Sequence, residues 1–161
     1  MISMRTLCKE RPGVFATAYS ELARVIDKHS AAPAADIATH FRHMVFNAAI
    51  GNVDDHLKNF WMLATSSGYR LAPAFDLVPD ISGRMEHTLS FQYGFACPTG
   101  KQLLAVASNW NVSRAREILD QVIEAVGRFA ATARRLKVRD VNSLKVVRTD
   151  VQRRLRLLRS V

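Results

Sequence analysis

Apolar residues recur at helical spacing over most of this chain of 161 residues. The clearest run predicts a helix over residues 34–50, because its apolar positions return every three or four residues and place one face in a core. The same spacing predicts four further helices, at about 20–29, 101–108, 113–136 and 141–158. Gly51 follows the clearest helix and is predicted to end it, as a glycine commonly does at this position.

Short apolar stretches interrupt the helical pattern in the first half of the chain. Residues 60–65 and 69–72 favour strands, and Ser66-Ser67-Gly68 between them predicts a hairpin turn. The opening segment, residues 2–8, is compatible with one more strand. The pattern therefore predicts a mostly α-helical protein with one small β-hairpin, organised as a single domain over residues 1–161.

The composition is that of an ordinary globular protein, with 48% hydrophobic and 23% charged residues. No stretch approaches the roughly 20 apolar residues that span a bilayer, and the N-terminus does not resemble a signal peptide. We therefore expect a cytoplasmic protein without a membrane partner. The two cysteines, Cys8 and Cys97, lie far apart and form no CxxC motif, so neither a disulfide nor a zinc site is expected.

The net charge is +9, and the basic residues concentrate towards the C-terminus, between Arg134 and Arg159. Such an excess favours acidic partners, which include nucleic acid, an acidic protein face and nucleotide phosphates. The run from Arg153 to Arg159 is most simply the solvated face of a terminal helix. A weak or indirect contact with DNA is the alternative, and it would weaken steeply with salt.

The polar residues around the hairpin form the most informative pattern. Asp54 precedes Asn59 by five positions, and Asp76 follows the hairpin. Neighbouring strands lie ~5 Å apart, so we expect Asn59 and Asp76 to meet at one end of the hairpin. Their oxygens are the hard donors that Mg²⁺ accepts beside phosphate and water. Protein kinases place a catalytic Asp, a metal-binding Asn five residues later and a second metal-binding Asp in this order.

Two longer segments resemble the FNxxxGNxDDHxKN…LAPxYDLxP signature of HipA-like serine/threonine kinases, the toxins of toxin–antitoxin modules. They are residues 46–59 and 71–79. The resemblance implies a protein-kinase-like helical C-lobe whose β-hairpin separates the catalytic loop from the metal-binding aspartate. It also implies ATP as a substrate with Mg²⁺, a protein substrate phosphorylated on Ser or Thr, and a HipB-like helix-turn-helix antitoxin as partner.

The resemblance also implies a role for each matching residue. Asp54 is the expected catalytic base, while Asn59 and Asp76 are the expected Mg²⁺ ligands that also bind the nucleotide. His56 is expected to orient the loop or contact a phosphate, and Lys58 has a less defined catalytic role. The spacing favours Asp54 over Asp55 as the base, and Asp55 is left as an interaction or capping residue.

The chain departs from a complete kinase in its nucleotide-binding features. Its seven glycines never form GxGxxG or GxxxxGK, and no V-A-I-K-like lysine occurs on an early strand. We therefore expect the ATP-binding N-lobe to come from a missing segment or from a separate polypeptide, and the chain alone to be weakly active or inactive. Phe75 replaces the usual Tyr of the signature.

Two other functions remain open from the sequence. One is a non-catalytic remnant that docks an antitoxin or DNA through its basic surface. The other is a metal-dependent phosphohydrolase built on Asp54, Asp55 and His56, which would act on a generic phosphate ester without any N-lobe.

Overall fold

The computed structural model describes residues 1–8 and 18–161. Within them, three short strands and seven α-helices follow one another. They are β1 (Ile2–Ser3), α1 (Met4–Cys8), α2 (Tyr19–His29), α3 (Pro33–Ile50), β2 (Trp61–Thr65), β3 (Gly68–Leu71), α4 (Gly100–Asn109), α5 (Ala115–Gly127), α6 (Phe129–Arg135) and α7 (Val141–Arg159), with a 3₁₀ turn at Leu57–Asn59 before β2. This confirms the predicted mostly α-helical fold with a small hairpin.

Helix α3 forms the centre of the core and packs against α2, α5 and α7. It begins at Pro33, whose fixed φ suits the first helical turn. Phe41, Met44 and Val45 on its buried face are fully shielded from solvent. The helix ends at Gly51, which has φ +77°, so the predicted glycine cap is confirmed.

The hairpin is confirmed, with Met62 opposite Leu71 and Thr65 opposite Gly68 in an antiparallel register. Asp36, in the first turn of α3, attaches this hairpin to the helical core. It accepts hydrogen bonds from the Arg70 guanidinium and the Leu71 amide. Burial acts to raise the pKa of Asp36, but these hydrogen bonds and that of Ser30 outweigh it and hold the pKa below its usual range.

The predicted strand over residues 2–8 is mostly wrong. Only Ile2–Ser3 pairs with β2, and the chain turns helical at Met4. Met4 and Leu7 are both buried, and their spacing of three residues places them on one side of a helical turn. The backbone amide of Met4 donates to the Phe60 carbonyl over 2.8 Å, which continues the register of β1 and β2 into the first residue of α1.

The single helix predicted over residues 113–136 is also wrong, because it is two helices. Helix α5 ends at Gly127, Arg128 takes φ −84° and ψ 0°, and α6 begins at Phe129. Glycine is among the poorest helix formers, and it leaves the backbone free to change direction here. The break lets Gly127 lie against Leu155 of α7, whose Cδ1 would be 3.9 Å from an added Cβ.

Helix α7 packs against four other helices, α3, α4, α5 and α6. Its start is capped by Asp140, whose side chain accepts from the Ser143 amide over 3.0 Å. Near its end, the Ser160 carbonyl accepts from the Lys101 amide over 3.0 Å. No helix in the described part of the chain is long and apolar enough to cross a membrane.

Candidate active site

The segment after Gly51 presents two adjacent acids in opposite directions. The Asp54 side chain is 60% exposed, whereas Asp55 is completely buried. Successive side chains of an extended segment point to opposite sides, which places one of these acids towards solvent and the other towards the core. The structure thus leaves Asp54 open to a substrate and encloses Asp55.

Asp55 is held by four hydrogen bonds from two parts of the chain, Tyr19 on α2 and residues 87–89. Its Oδ2 accepts from the Tyr19 hydroxyl and, over 3.1 Å, from His87 Nδ1. Its Oδ1 accepts from the amides of Thr88 and Leu89, over 2.9 and 3.3 Å. Burial, followed by the adjacent Asp55 charge, raises the pKa of Tyr19 well above its usual value. Asp55 is therefore an anchor of the loop.

Two buried asparagines of the signature connect the segments on either side of the hairpin. Asn47 donates from Nδ2 to the Tyr19 hydroxyl over 3.0 Å. Asn52 donates from Nδ2 to Asn47 Oδ1 over 3.1 Å and to the Asp76 carbonyl over 3.3 Å. Asp76 itself has φ +55°, a left-handed conformation that is uncommon for a non-glycine residue. This network ties the backbone of Asp76 to the segment that presents Asp54.

Asp54 and Asp76 open into one cleft of about 300 Å³. Its other lining residues are Asn52, Val53, Val78, Pro79, Asp80, Ile81 and Arg84. Among the described residues, the Asp76 carboxylate makes no hydrogen bond or ion pair. The two acids therefore offer free oxygens in a shared space.

Asp80 also lines this cleft, although the sequence pattern alone does not mark it as a site residue. Its amide donates to the Gly51 carbonyl over 2.9 Å, and its carboxylate accepts from Ser82 and Arg84. Burial acts to raise the pKa of Asp80, but the hydrogen bonds from Ser82 and then Arg84 outweigh it and lower the pKa. The sequence signal was its position directly after the signature, which alone does not distinguish a cleft residue from a solvated acid.

The three remaining predicted residues lie on the 3₁₀ turn or just before it, and none of them lines the cleft. Asn59 donates from Nδ2 to the Asp54 carbonyl over 3.1 Å, which leaves its Oδ1 available as an acceptor. His56 Nε2 lies 3.8 Å from Asp54 Oδ2, and its buried Nδ1 has no partner among the described residues. Lys58 is exposed, and its carbonyl accepts from Trp61 Nε1.

The strand ladder does not by itself set the distance between Asn59 and Asp76. The last ladder contact joins the Ala72 amide to the Trp61 carbonyl over 2.9 Å. Continuing this register would place Asn59 opposite residue 74, two positions before Asp76. The proximity of the two residues thus stays a prediction that the sheet geometry alone does not supply.

The donor set is compatible with Mg²⁺ that is shared with a substrate. In residues 1–8 and 18–161, no three His, Cys, Asp or Glu side chains are grouped so as to hold a metal. Mg²⁺ is commonly held by one or two protein ligands together with phosphate oxygens and water. The free Asp76 carboxylate and the free Asn59 Oδ1 are oxygen ligands of this kind, so each suits the ion by its chemistry, while their meeting around one ion stays a prediction.

Comparison with known proteins supports the resemblance seen in the sequence. Residues 1–133 match the family model of the HipA-like C-terminal domain. The chain belongs to this family. The predicted HipA-like resemblance is therefore confirmed, and the match ends before α7 begins.

A curated relative and a solved structure agree with this assignment. This HipA-like domain is 33% identical over 72 residues to "Putative kinase Y4mE" of Sinorhizobium fredii, a match of 42% of the chain and 17% of that protein. It superposes with a TM-score of 0.67 on HipA from a Shewanella oneidensis MR-1 toxin–antitoxin complex of HipA, HipB and operator DNA. That match covers 94% of the chain and 37% of HipA at 20% identity, so it shows a common fold. The chain thus spans a minority of each relative.

Proposed function

We propose that this domain supplies the catalytic loop and the metal-binding aspartate of a HipA-type serine/threonine protein kinase. The observation that supports it best is that two carboxylates, those of Asp54 and Asp76, line one cleft. Their backbones are anchored by a buried network through Asn52 and Asp55. Phosphoryl transfer depends mainly on positioned groups and on neutralised charge, and this arrangement can provide both.

Each residue has a role in this proposal. Asp54 accepts the proton of the Ser or Thr hydroxyl of a protein substrate, because its carboxylate is 60% exposed and accepts no hydrogen bond from the described residues. Asn59 and Asp76 hold Mg²⁺, which when bound neutralises charge on the phosphates of ATP. His56 orients the loop or contacts a phosphate, and the exposed Lys58 has a less defined catalytic role.

The part of the kinase that grips ATP lies outside this domain in the proposal. It comes from another segment of a longer polypeptide or from a separate N-lobe polypeptide, and the kinase acts in the cytoplasm. The chain alone would then bind nucleotide weakly and transfer phosphate slowly. The phosphohydrolase alternative has little support, because Asp55 is enclosed and has no oxygen left for a metal.

The proposal is tested first by binding and then by catalysis. Calorimetric titration of the chain with Mg²⁺ and a non-hydrolysable ATP analogue should give weak heat that is lost in Asp76→Ala, which removes the ligand oxygens. The matched control is Asp120→Ala, a surface acid on α5 that pairs with Arg116 away from the cleft. If both variants bind like the wild type, Asp76 is not a metal ligand.

The catalytic arm uses the full-length protein, or the chain together with a family N-lobe. Asp54→Asn should lower kcat for phosphate transfer from ATP by roughly 10²–10⁴-fold, the usual contribution of a general base. Full activity in Asp54→Asn would refute its role as the base, and activity on a generic phosphate ester without an N-lobe would favour the hydrolase.

The basic C-terminal region favours a second candidate function, as a docking surface for a HipB-like antitoxin bound to DNA. Residues 134–161 contain ten basic and two acidic residues, a net charge of +8 out of +9. Four basic residues recur along one exposed side of α7, and none of them makes an ion pair in the described part of the chain: Lys145, Arg148, Arg156 and Arg159.

A DNA contact should weaken with salt, and the logarithm of the binding constant should fall against the logarithm of the salt concentration with a slope near −0.9 per neutralised phosphate. Replacing all four by Gln should abolish that slope, whereas Asp54→Asn should not.

A further inference from the structure

A buried arginine beyond the family match reaches the base of the catalytic loop. Arg154 on α7 has none of its surface exposed, and the match ends at residue 133. Its Nε donates to Asp150, one turn earlier on the same helix. Its Nη1 lies 3.0 Å from His87 Nε2 and 3.4 Å from the Ala48 carbonyl. Arg154 therefore connects α7, the end of α3 and the segment that holds Asp55.

The donors in this cluster assign the proton on His87. A guanidinium can only donate, so Nε2 of His87 must accept from Arg154. The ring proton then lies on Nδ1, which donates to Asp55 Oδ2 over 3.1 Å. The His87 ring is buried against Phe91, with ring centroids 4.7 Å apart. Arg154 thus selects the tautomer that anchors Asp55, the immediate neighbour of Asp54.

Stability alone does not explain a guanidinium at this position. A buried arginine must be fully paired to offset its desolvation, and a hydrocarbon side chain of similar size often packs as well or better. Arg154 leaves Nη2 without a hydrogen-bond partner among the described residues. The presence of Arg154 is better explained by the groups that it holds in place, which are the His87 ring and the Ala48 carbonyl.

Close packing supports the same conclusion. Gly51 immediately precedes the catalytic segment, and a Cβ added to it would lie 2.8 Å from Asp150 Oδ2 and 2.9 Å from Arg154 Nε. The residue that caps α3 therefore has no side chain at the place that the Asp150 and Arg154 side chains occupy. Helix α7 thus contacts the segments that hold the catalytic loop at two residues, Gly51 and His87.

We propose that Arg154 is a positioning residue for Asp54: through His87 and Asp55 it fixes the loop that presents the Asp54 carboxylate to the cleft. Helix α7 is then part of the catalytic domain, although the family match does not cover it. This inference rests on the proposed function of Asp54 as the catalytic base.

Amide hydrogen exchange tests the anchoring without any activity. The Leu89 amide reports on Asp55, its hydrogen-bond acceptor among the described residues, and the Met44 amide in α3 serves as an internal reference. In Arg154→Met, exchange at Leu89 should rise about tenfold or more relative to Met44, because Asp55 loses a fixed charge-assisted network. Arg156→Met, an exposed arginine on the same helix, should leave the ratio unchanged.

A fallback variant covers the case in which Arg154→Met does not fold. Arg154→Lys keeps the charge, but its amine cannot reach Asp150 and His87 as a fork does, so an intermediate rise at Leu89 is expected. An unchanged Leu89 ratio in whichever of the two variants folds would overturn the proposal.

The kinetic arm separates positioning from a general loss of stability. In the full-length protein, Arg154→Met should lower kcat about ten- to hundredfold with the KM for ATP unchanged, since a misplaced base affects chemistry more than nucleotide binding. Arg154→Lys should restore part of kcat. An unchanged kcat, where Asp54→Asn is inactive, overturns the positioning role and leaves the proposed function intact. If Asp54→Asn is fully active, the proposed function fails, and exchange at Leu89 alone decides whether Arg154 anchors the loop.

Discussion

Replacing Gly51 by alanine tests two requirements at the cap of α3, a positive φ and space for the side chains of α7. Gly51 has φ +77°, and an added Cβ would also meet Asp150 and Arg154 at less than 3 Å. Gly83 offers a matched control, because it has φ +83° and nothing lies within 4 Å of an added Cβ. The two substitutions share the backbone strain, and only the one at Gly51 disturbs α7.

The expected loss of folding free energy follows from the backbone strain and from the contact with α7. A left-handed conformation costs an L-residue about 1–2 kcal/mol, and the stiffer unfolded chain returns about 0.4–1 kcal/mol. Gly83→Ala should therefore destabilise the fold by about 0–1.6 kcal/mol. Gly51→Ala additionally displaces the Asp150–Arg154 pair, and a hydrogen bond to a charged group contributes about 1.5–3 kcal/mol. The total cost of Gly51→Ala should be about 1.5–4.6 kcal/mol.

Urea unfolding followed by far-ultraviolet circular dichroism measures both values, provided the m-value stays constant. Repeating Gly51→Ala in the Arg154→Met background should shrink its cost towards that of Gly83→Ala, because the guanidinium that the Cβ displaces is gone. If Gly51→Ala costs no more than Gly83→Ala, α7 does not depend on the missing side chain, and the reasoning about its docking is refuted.

Three further substitutions test the site and the core. Asp55→Asn should destabilise the fold by about 2–4 kcal/mol, because the new amide NH₂ group would face hydrogen-bond donors. Asp54→Asn should change the free energy of unfolding in urea by less than about 0.5 kcal/mol. Equal effects of the two substitutions would contradict the anchor role of Asp55. The lowered pKa of Asp36 means that its contribution is complete above about pH 4 and is lost as the pH falls through its folded value, so Asp36→Asn and wild type should converge in acid unfolding curves. Burial lowers the pKa of His40 from 6.5 to about 4, so the unfolded state takes up this proton first and stability falls from pH 6.5 to pH 4. An NMR titration of His40 with a midpoint near 6.5 would contradict its burial.

Local patterns in the sequence were sufficient for most of the helices and for the hairpin. The periodicity over residues 34–50 predicts α3 almost to the residue, because an amphipathic face of that length needs one buried side. Gly51 and the turn at Gly68 predict where elements end, since few other residues adopt positive φ. The signature in residues 46–59 and 71–79 likewise indicates the family, which the match over residues 1–133 confirms.

Long-range contacts decided what local patterns could not. The break at Arg128 and the early helix at Met4 depend on packing against other elements, which a periodicity does not contain. The sequence left Asp55 as an interaction or capping residue, and Asp80 was not singled out at all.

The sequence by itself determined the helical class, the hairpin, the family and the order of Asp54, Asn59 and Asp76 along the chain. Only the tertiary structure decided that Asp55 is the anchor and that a distant arginine on α7 reaches it. Arg154 lies 67 positions from His87, and His87 lies 32 from Asp55. The physical reason is that hydrophobic spacing reports which face of an element is buried, whereas the partner of a buried polar group is chosen by the packing of whole elements.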